Sequence, residues 1–410
     1  FKVAIVGGGM TGLTAALHLD RLGIDFVLLE AYGDITPEVG ASLALYPNFQ
    51  RVIDQLGVLD DVRNASSELC SISCRNLEGQ AMFRHDVAEA LHKATGGYGI
   101  ATFTRSALLR ILYENISAEG KRRICTNTRV RRIEELQGDE GVRLHIDGGE
   151  SINADVIIGA DGIDSLVRSE MWRLATEVDP KAFEGDRAED LATEFGCVYG
   201  LSAQTGDLDK HYAYQVSTQD MTIGVFGGPK SEACWFLFFK VDEDIAKRRG
   251  RDTVPTWTFA QGVEICEKYA DAKITDTVTF GDIYKNQYRL SAPQACPNHC
   301  LKRWTYGRMI CLGDSVAKTN PILAQGGAQG AESVLQLVDQ LHEALLKQKL
   351  QDPTKERLPT IEVEGILMNV NKERQPRVTA FVENSQMIMR ISAWSGWVFW
   401  FAGKYLTPWL

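Results

Sequence analysis

The sequence predicts an α/β protein that combines a doubly wound parallel sheet with a second domain built on an antiparallel sheet. A glycine-rich run at residues 3–12, and two apolar segments ending in glycine-bearing turns at residues 159–162 and 312–315, predict the doubly wound part. Between residues 196 and 241, alternation of apolar and polar residues predicts the antiparallel part, because alternation is the period of strands. A length of 410 residues suits two interleaved domains.

The N-terminal run has the pattern of a dinucleotide-binding turn. Residues 2–6 predict a buried parallel strand and residues 13–22 predict a helix. Gly7 permits the tight turn, Gly9 lets backbone amides approach a pyrophosphate, and Gly12 lets the helix pack on the strand. The phosphate would lie at the helix N-terminus, where N–H groups and the helix dipole favour an anion. The expected phosphate-binding residues are Gly7, Gly9, Met10, Thr11 and Gly12.

Glu30 narrows the choice of dinucleotide. It ends the next predicted strand, Phe26–Glu30, 18 residues after Gly12. A carboxylate at this place can accept a hydrogen bond from a ribose 2′-hydroxyl and repels a 2′-phosphate. The pattern therefore indicates FAD or NAD rather than NADP, with a purely structural glycine turn as the alternative.

Two later turns decide between FAD and NAD. Residues 154–168 contain Asp161 and Gly162 after an apolar strand, and residues 309–332 contain Gly313 and Asp314 in the same position. With these motifs in this order, the chain resembles the single-component FAD-dependent monooxygenases of the aromatic-hydroxylase type, which have a para-hydroxybenzoate hydroxylase-like fold. It is most similar to the fungal epoxidases and hydroxylases of meroterpenoid and indole-diterpene pathways. The similar segments are Gly313–Val316, Lys318–Pro321 and the Gln-Gly-Gly run that leads to Glu332.

The resemblance implies a chemistry and a set of cofactor contacts. It implies resident FAD, NADPH or NADH as a transient reductant, and O₂ activated as a C4a-hydroperoxyflavin. No catalytic residue can be named; the candidates lie in the loop beside flavin C4a and are Pro321, Gln325 and Gly326. The further cofactor-binding residues that the resemblance implies are Glu30, Gly40, Ala41, Arg105, Asp161, Gly162, Gly313, Asp314, Pro321, Gly326, Gly327 and Ala328.

Several of these positions keep alternatives. Asp161 could hold its own turn rather than bind the cofactor. Arg168 could meet the phosphate of the nicotinamide donor or face solvent. The chain also departs from the fungal branch, since Ala324 and Ala328 stand where Gly and Asn are usual, and Ala317 stands where aromatic hydroxylases often have His.

Pattern and resemblance together divide the chain. FAD-binding parts are expected at 1–75, 101–170 and 304–350, a substrate-domain insertion at 76–100, the substrate-binding sheet domain at 171–303, and C-terminal helices with an aromatic tail at 351–410. Residues 170–195, acidic and poor in periodic apolar positions, predict a mobile connection. The segments Arg123–Leu136, Val142–Asp147 and Ala154–Gly159 predict a small three-stranded sheet. Helices are predicted at Ser106–Asn115 and Gly326–Leu346.

The substrate pocket is expected on the alternating strands. These strands are Gly196–Ala203, His211–Val216, Met221–Gly227 and Cys234–Val241. They are rich in aromatic residues, about half of which can face one side of a sheet. The aromatic candidates for pocket lining are Tyr199, Tyr212, Tyr214, Phe226, Trp235, Phe236, Phe238 and Phe239. From these, the five selected are Tyr199, Tyr214, Phe226, Trp235 and Phe239. Core packing is the alternative for each of them.

Composition restricts the partners. A net charge of −10 without a Lys/Arg tract argues against nucleic acid. Nine cysteines without a leader pattern indicate a reducing compartment, so the expected location is the cytoplasm or the cytosolic face of a membrane. Cys70/Cys74 and Cys296/His299/Cys300 do not form the two convergent pairs of a zinc site, and no metal is expected.

The last twenty residues, 391–410, hold four Trp, two Phe and one Tyr. Such aromatic residues prefer membrane–water interfaces. Lys404 and Pro408 speak against a spanning helix, so the tail predicts an interfacial segment. The alternative is a hydrophobic lid packed on the body of the protein.

The sequence therefore predicts an FAD-dependent monooxygenase that epoxidises or hydroxylates a lipophilic prenylated metabolite of the meroterpenoid or indole-diterpene type. Two alternatives remain: a hydroxylase of an aromatic polyketide, and a non-catalytic escort protein on the same scaffold. Epoxidation of an alkene needs no base, whereas hydroxylation of a phenol does. No such base can be named from the sequence, which favours epoxidation.

Overall fold

The structure is a computed structural model that describes residues 1–38, 40, 42–186, 192–229, 232–246 and 254–407. Its strands are β1 (Lys2–Val6), β2 (Asp25–Leu29), β3 (Ser42–Leu45), β4 (Ser67–Glu68), β5 (Ser71–Asn76), β6 (Ala81–Asp86), β7 (Ala101–Thr104), β8 (Ile124–Cys125), β9 (Val130–Glu135), β10 (Val142–Ile146), β11 (Ser151–Ala154), β12 (Val156–Gly159), β13 (Ala192–Ser202), β14 (Tyr212–Thr218), β15 (Met221–Gly227), β16 (Ala233–Lys240), β17 (Gln287–Leu290), β18 (Gln294–Cys300), β19 (Thr305–Tyr306), β20 (Met309–Cys311) and β21 (Ala317–Lys318). Its α-helices are α1 (Met10–Arg21), α2 (Pro47–Gln55), α3 (Leu59–Asn64), α4 (Ala88–Thr95), α5 (Arg105–Glu114), α6 (Ala118–Arg122), α7 (Leu166–Val178), α8 (Glu243–Ala246), α9 (Phe259–Lys268), α10 (Phe280–Lys285), α11 (Gly326–Gln351), α12 (Thr360–Ser392) and α13 (Trp397–Phe401).

A mostly parallel sheet forms the centre of the first domain. Its six strands have the order β19-β20-β12-β1-β2-β8, and only the β19–β20 pair is antiparallel. The middle strands are continuous apolar runs, as expected for strands covered on both faces. Helix α1 packs against α5 and α11, and α7 packs against β9, β12 and β20. The predicted doubly wound fold is confirmed.

The strand register brings the three sequence motifs together. Val6 pairs with Gly159, and Gly159 pairs with Cys311, so β1, β12 and β20 end side by side. The glycine-bearing turns that follow them therefore share the carboxyl edge of the sheet, where ligands bind in open α/β sheets.

A large sheet forms the second domain. Its strands have the order β21-β18-β13-β16-β15-β14-β5-β6, with β17 also paired to β13. Only the β14–β5 pair is parallel, and it ties residues 71–86 into this sheet. One face of the sheet packs on α9 and α10, where Trp235 and Leu237 meet Phe280 and Ile283. The other face borders the central sheet's carboxyl edge.

The predicted mobile connection at residues 170–195 is wrong in most of its described part. Helix α7 continues to Val178, since Val167, Met171 and Ala175 recur at helical spacing and are buried. At the other end, β13 begins at Ala192. Charged residues lie between these buried positions, and they made the helical spacing difficult to recognise in the sequence. Residues 187–191 lie outside the described part of the chain.

The predicted small sheet is only partly right. It consists of β9, β10 and β11. Residues 156–159, predicted as part of its third strand, leave it at Asp155 and become β12 of the central sheet. Residues 124–125 likewise pair with β2 rather than with the small sheet.

The C-terminal residues form two long helices and a short aromatic segment, residues 394–407, which is named here the aromatic hook. Helices α11 and α12 pack against each other, and α12 also packs against β18. After α12 the chain forms α13 and a π-helical turn at Ala402–Leu406. Trp394 is 9% exposed, whereas Trp397 is 82% exposed. Among the described residues, no helix combines the length and apolarity needed to cross a membrane.

Candidate functional site

Two cavities meet at the carboxyl edge of the central sheet. The first, named here the dinucleotide cavity, has a volume of about 880 Å³ and is lined by the turns after β1, β2 and β12. The second, the substrate-side cavity, has about 690 Å³ and reaches to the large sheet. The residues that line both cavities are Gly9, Arg105, Ala160, Gly162 and Ile163. The two therefore form one continuous space for an extended ligand.

At the turn after β1, Gly7 and Gly12 leave no room for a side chain. Gly7 has a φ of +102°, and a Cβ there would lie 2.4 Å from the Ala160 carbonyl oxygen. A Cβ on Gly12 would lie 1.9 Å from the Gly7 oxygen. Helix α1 begins at Met10, and no side chain caps its first amides. A bare turn with open amides at a helix N-terminus fits a pyrophosphate.

Glu30 lines the dinucleotide cavity at the end of β2. Its Oε2 accepts a hydrogen bond from the Gly8 amide at 2.6 Å, and its Oε1 accepts one from the Tyr32 amide at 2.9 Å. The carboxylate is thus fixed by main chain and keeps lone pairs for a ribose hydroxyl. Its charge disfavours a 2′-phosphate, which fits the adenosine of FAD.

Asp161 both holds its turn and lines the dinucleotide cavity. Its Oδ2 accepts from the Val167 amide at 3.1 Å, at the start of α7. Burial raises the pKa of Asp161, while hydrogen bonds from Ser165 and from amides of the turn oppose that rise. The neighbouring Gly162 has a φ of +77°, in the region that favours glycine.

Arg168 does not face solvent, which was one of the two alternatives for it. It is buried, and its guanidinium donates to the carbonyl oxygens of Ser315 at 2.5 Å and Ile163 at 2.7 Å. It also lies over the Trp172 ring, 5.3 Å from the centroid. Arg168 therefore ties the Asp161 turn to the Asp314 turn, and it lines neither of the two cavities.

Asp314 forms an ion pair with Lys318, and both line the substrate-side cavity. The Asp314 charge raises the pKa of Lys318 against the opposing effect of burial, so the amine is protonated. The turn is tight, because a Cβ on Gly313 would lie 2.4 Å from Thr11 Oγ1. Thr11 also lines this cavity, which joins the first and third motifs.

His299 lies behind this ion pair and stays neutral. Its pKa falls to about 4 because of burial and, next, the charges of Arg168 and Lys318, although Asp314 acts in the opposite direction. The β18–β21 pairing places it directly opposite Lys318.

The loop expected beside flavin C4a faces the substrate-side cavity. Pro321, Gly326 and Gly327 line it. Ala324, where the fungal branch usually has Gly, has a φ of +50°, which is the left-handed region. An alanine there carries the steric cost that a glycine would avoid.

Gln325 and Ala328 are placed differently from the other residues of this loop. Gln325 is 5% exposed and accepts a hydrogen bond from Asn48 Nδ2 at 3.0 Å on the side away from the cavity. Ala328 is buried in the core of the first domain. Gln325 directly precedes α11 and Ala328 lies in its first turn, and both side chains point to the packed side of the helix. Neither residue lines the substrate-side cavity, although both were expected beside the cofactor.

Arg105 and Gly40 lie together at the junction of the two cavities. Gly40 has a φ of +100°, and a Cβ there would lie 3.1 Å from Arg105 Cδ. Arg105 begins α5 after the cap residue Thr104 and lines both cavities. The adjacent candidate, Ala41, lies outside the described residues.

Three of the five aromatic candidates line the substrate-side cavity: Tyr199, Tyr214 and Phe226. Burial raises the pKa of the first two, so their phenols are protonated. Phe236 and Phe238 of β16 complete the aromatic wall, and Phe226 stacks on Phe236 with centroids 5.8 Å apart.

The expected pocket roles of Trp235 and Phe239 are wrong. Residues of β16 alternate between its faces, and these two share the face opposite to Phe236. Trp235 is fully buried, and its Nε1 donates to Ser202 Oγ at 3.0 Å. Phe239 packs edge-on against Trp257, with centroids 5.4 Å apart. Both belong to the core beneath the sheet.

Within the described residues, no group of three or more His, Cys, Asp and Glu side chains is arranged to hold a metal ion. The cysteines are free thiols. Burial raises the pKa of Cys74 and of Cys300 to about 11 each, which keeps both protonated.

A Rossmann-type dinucleotide cradle that opens into an apolar chamber defines the class of an FAD-binding oxidoreductase. Residues 1–184 match the family of FAD binding domains. The chain is 31% identical to the FAD-dependent monooxygenase dpasE of Apiospora sacchari, over 99% of this chain and 84% of that protein. It is 30% identical to the FAD-dependent monooxygenase atmM of Aspergillus flavus, over 100% and 82% of the two chains. The chain belongs to the FAD-dependent monooxygenases and binds FAD.

Solved structures share the fold. Klebsiella pneumoniae HpxO, complexed with FAD and uric acid, superposes with a TM-score of 0.75 at 19% identity, covering 100% of this chain and 93% of that one. Pseudomonas aeruginosa PqsL, in complex with 2-aminobenzoylacetate, gives a TM-score of 0.71 at 20% identity, covering 95% and 96%. The predicted para-hydroxybenzoate hydroxylase-like fold class is confirmed.

Several residues of the site escaped the sequence predictions. Lys318 was noted only as part of a motif, although its distance of four residues from Asp314 on a polar turn favours pairing. Phe236 and Phe238, by contrast, were among the aromatic candidates of the alternating strands, and alternation selects them once the inward face of β16 is known. Asn48 and Glu332 come together only in the folded chain, because they are far apart in sequence.

Proposed function

We propose that this protein epoxidises or hydroxylates a lipophilic prenylated metabolite of the meroterpenoid or indole-diterpene type, using NADPH or NADH and O₂. The observation that carries the proposal is the wall of the substrate-side cavity. Phe226, Phe236 and Phe238 face it from the sheet, and Leu43 and Ile322 face it from the first domain. Such a wall favours an apolar ligand over a charged one.

Bound FAD supplies the redox chemistry, passing two electrons from the nicotinamide to O₂. The chain supplies position and exclusion of water. Main chain of the 321–327 loop lines the cavity where the cofactor and substrate spaces meet. Lys318 Nζ, held by Asp314, is a protonated donor in that lining. The aromatic wall keeps water away from the oxygen that is transferred.

The dinucleotide cavity is expected to hold FAD permanently. The sequence carries a single glycine-rich fingerprint of this kind, so the nicotinamide is expected to bind transiently. NADPH and NADH are both compatible with this scheme.

Epoxidation is favoured over hydroxylation of a phenol. The tyrosines of the cavity are protonated, and His299 lies behind the Asp314–Lys318 pair rather than in the lining. A phenol would need a neighbouring base, whereas an alkene needs none. Family membership favours an enzyme over the non-catalytic escort alternative.

The test is turnover of FAD-loaded protein with NADPH or NADH and a panel of farnesylated phenols, indole diterpenes and aromatic polyketides. The expected product gains one oxygen atom from ¹⁸O₂, measured by mass spectrometry, on a prenyl double bond. The variant Gly224→Phe tests whether the substrate binds in this cavity, because Gly224 lines the cavity and a Cβ there would meet nothing within 4 Å. This variant should bind FAD and lose the product.

Oxygenation of only the polyketides would replace the proposal by the hydroxylase alternative. Turnover of a prenylated substrate without O₂ consumption would contradict both.

We also propose that the aromatic hook, residues 394–407, rests on a membrane surface from which the lipophilic substrate enters. Trp397, Phe401 and Tyr405 are exposed on it, and Lys404 Nζ lies 5.4 Å from the Trp400 ring centroid. Exposed aromatic rings beside a lysine suit a headgroup region.

Cosedimentation with phosphatidylcholine vesicles tests this surface. The double variant Trp397→Ser/Phe401→Ser should weaken binding about tenfold or more, since burying each ring contributes roughly 1.5–3 kcal/mol. Tyr288→Ser removes an exposed ring elsewhere and is the control. Equal sedimentation of all three proteins would contradict the proposed membrane contact.

A further inference from the structure

A buried ion pair lies behind the loop that faces the substrate-side cavity. Arg374 of α12 is 7% exposed, and its Nη1 lies 2.8 Å from Glu332 Oε2 of α11. The guanidinium also donates to Ser333 Oγ at 3.1 Å and to Gln329 Oε1 at 2.9 Å. A buried guanidinium with several well-placed acceptors holds a fixed geometry.

Glu332 connects this ion pair to the loop that faces the substrate-side cavity. Asn48 Nδ2 donates to Glu332 Oε1 at 2.7 Å and to Gln325 Oε1 at 3.0 Å. Burial would raise the pKa of Glu332, but hydrogen bonds from Arg377 and Asn48 and the charge of Arg374 hold it below its ordinary value. An ionised acceptor therefore links α12 to Asn48, which in turn holds Gln325.

The two segments held by this network border the cavity. Asn48 lies in the first turn of α2, after residues 42–46, four of which line the substrate-side cavity. Gln325 lies within the cavity-lining loop and directly precedes α11. The loop itself contains one short 3₁₀ turn, Pro321–Leu323, and the left-handed Ala324. With little regular structure of its own, its position depends on what packs behind it.

We propose that Arg374 is a positioning residue, which fixes the 321–327 loop against the bound flavin through Glu332 and Asn48. This inference rests on the oxygen transfer proposed for this cavity. In coupled turnover, NAD(P)H, H⁺, O₂ and substrate give NAD(P)⁺, water and a product with one added oxygen. When the loop is displaced, NAD(P)H, H⁺ and O₂ give NAD(P)⁺ and H₂O₂ instead.

The variant Arg374→Met tests the proposal, with Arg390→Met as the matched control. Arg390 lies on the same helix and is paired with Glu194 of β13 at 2.7 Å, outside the network. Arg374→Met should alter the visible circular dichroism of bound FAD and raise its dissociation constant about tenfold. Arg390→Met should leave both unchanged, even if it lowers the melting temperature as much. Arg374→Lys should restore part of the spectrum, because it keeps the charge without the planar fork.

Both readouts use FAD alone, so they hold even if no prenylated substrate is turned over. Where a substrate is found, Arg374→Met should also release more H₂O₂ per NAD(P)H oxidised. If it fails to fold, Arg377→Met serves instead, since Arg377 is half exposed and its Nε lies 2.9 Å from the same Glu332. That variant should shift the spectrum less and in the same direction. Identical spectra and FAD affinities in the Arg374, Arg377 and Arg390 variants would reduce the pair to a structural ion pair.

Discussion

The turn after β1, which borders the dinucleotide cavity, is built from glycines, whereas the large-sheet wall of the substrate-side cavity is built from side chains. In the first, Gly7, Gly12 and the start of α1 leave a shape that only bare backbone can form. In the second, alternate residues of β13–β16 and the loop before α11 form the wall.

This difference decides what a substitution can change. At Gly7 and Gly12 the glycine turn has no room for a Cβ. A wall of side chains can be altered one residue at a time while the sheet keeps its hydrogen bonds. We therefore expect the first cavity to fix the cofactor and the second to set the substrate.

The largest expected effect on FAD binding comes from Gly12→Ala. A Cβ 1.9 Å from the Gly7 oxygen forces the α1–β1 turn apart. FAD affinity should fall at least about 100-fold, which is about 2.7 kcal/mol. Fluorescence titration with FAD measures it. Gly365→Ala is the control, because nothing lies within 4 Å of a Cβ there. Normal FAD binding by Gly12→Ala would remove the main-chain account of this cavity.

The second prediction compares two neighbours on β16. Trp235→Ala should destabilise the protein by about 3–5 kcal/mol, since it empties the core beneath the sheet. Phe236→Ala, which removes cavity wall, should cost clearly less and change the size of accepted substrates. Denaturant unfolding of both variants, with FAD bound, provides the measurement. A larger loss of stability for Phe236→Ala would reverse the assignment of the two faces.

The third prediction concerns pH and His299. Between pH 6.5 and about 4, the unfolded chain binds a proton on this histidine and the folded chain does not. The stability present above pH 6.5 is therefore lost as the pH falls toward 4, by up to about 3 kcal/mol. His299→Gln should flatten the dependence of unfolding free energy on pH in this window. An unchanged slope in His299→Gln would contradict a buried neutral imidazole at this position.

The smallest effect is expected for Ala324→Gly, the one strained main-chain position described in the substrate-side loop. Removing the methyl group relieves the left-handed backbone at φ +50°. The gain in the folded state is roughly 1 kcal/mol and is reduced by the added freedom of glycine in the unfolded chain. Denaturant unfolding should give a change between zero and that gain. A clear loss of stability would mean that the methyl group packs favourably.

The sequence predicted the glycine turns and the polar residues at strand ends better than it predicted the side chains that line the substrate-side cavity. Gly7, Glu30 and Asp314 were found because a glycine turn or a strand end has a local signature. Trp235 and Phe236 were not separated, because alternation tells that two neighbours face opposite sides and leaves open which side is the core. That choice depends on α9 and α10, which lie far along the chain.

Distance along the chain also explains why other contacts near the site were not predicted. The network of Asn48, Glu332 and Arg374 joins three elements that no local pattern connects. Helix α7 was missed for another reason: its buried residues are spaced correctly but separated by charged ones.

The order of strands in the two sheets has a consequence for synthesis on the ribosome. Strand β20, at residues 309–311, pairs directly with β12, and β5 of the large sheet waits for β14, more than a hundred residues later. Neither sheet can close until most of the chain has emerged. Early strands with unpaired edges therefore remain open to other nascent chains or to chaperones during translation. FAD, whose expected site combines the turns after β1, β12 and β20, is expected to join late and to complete the fold rather than to start it.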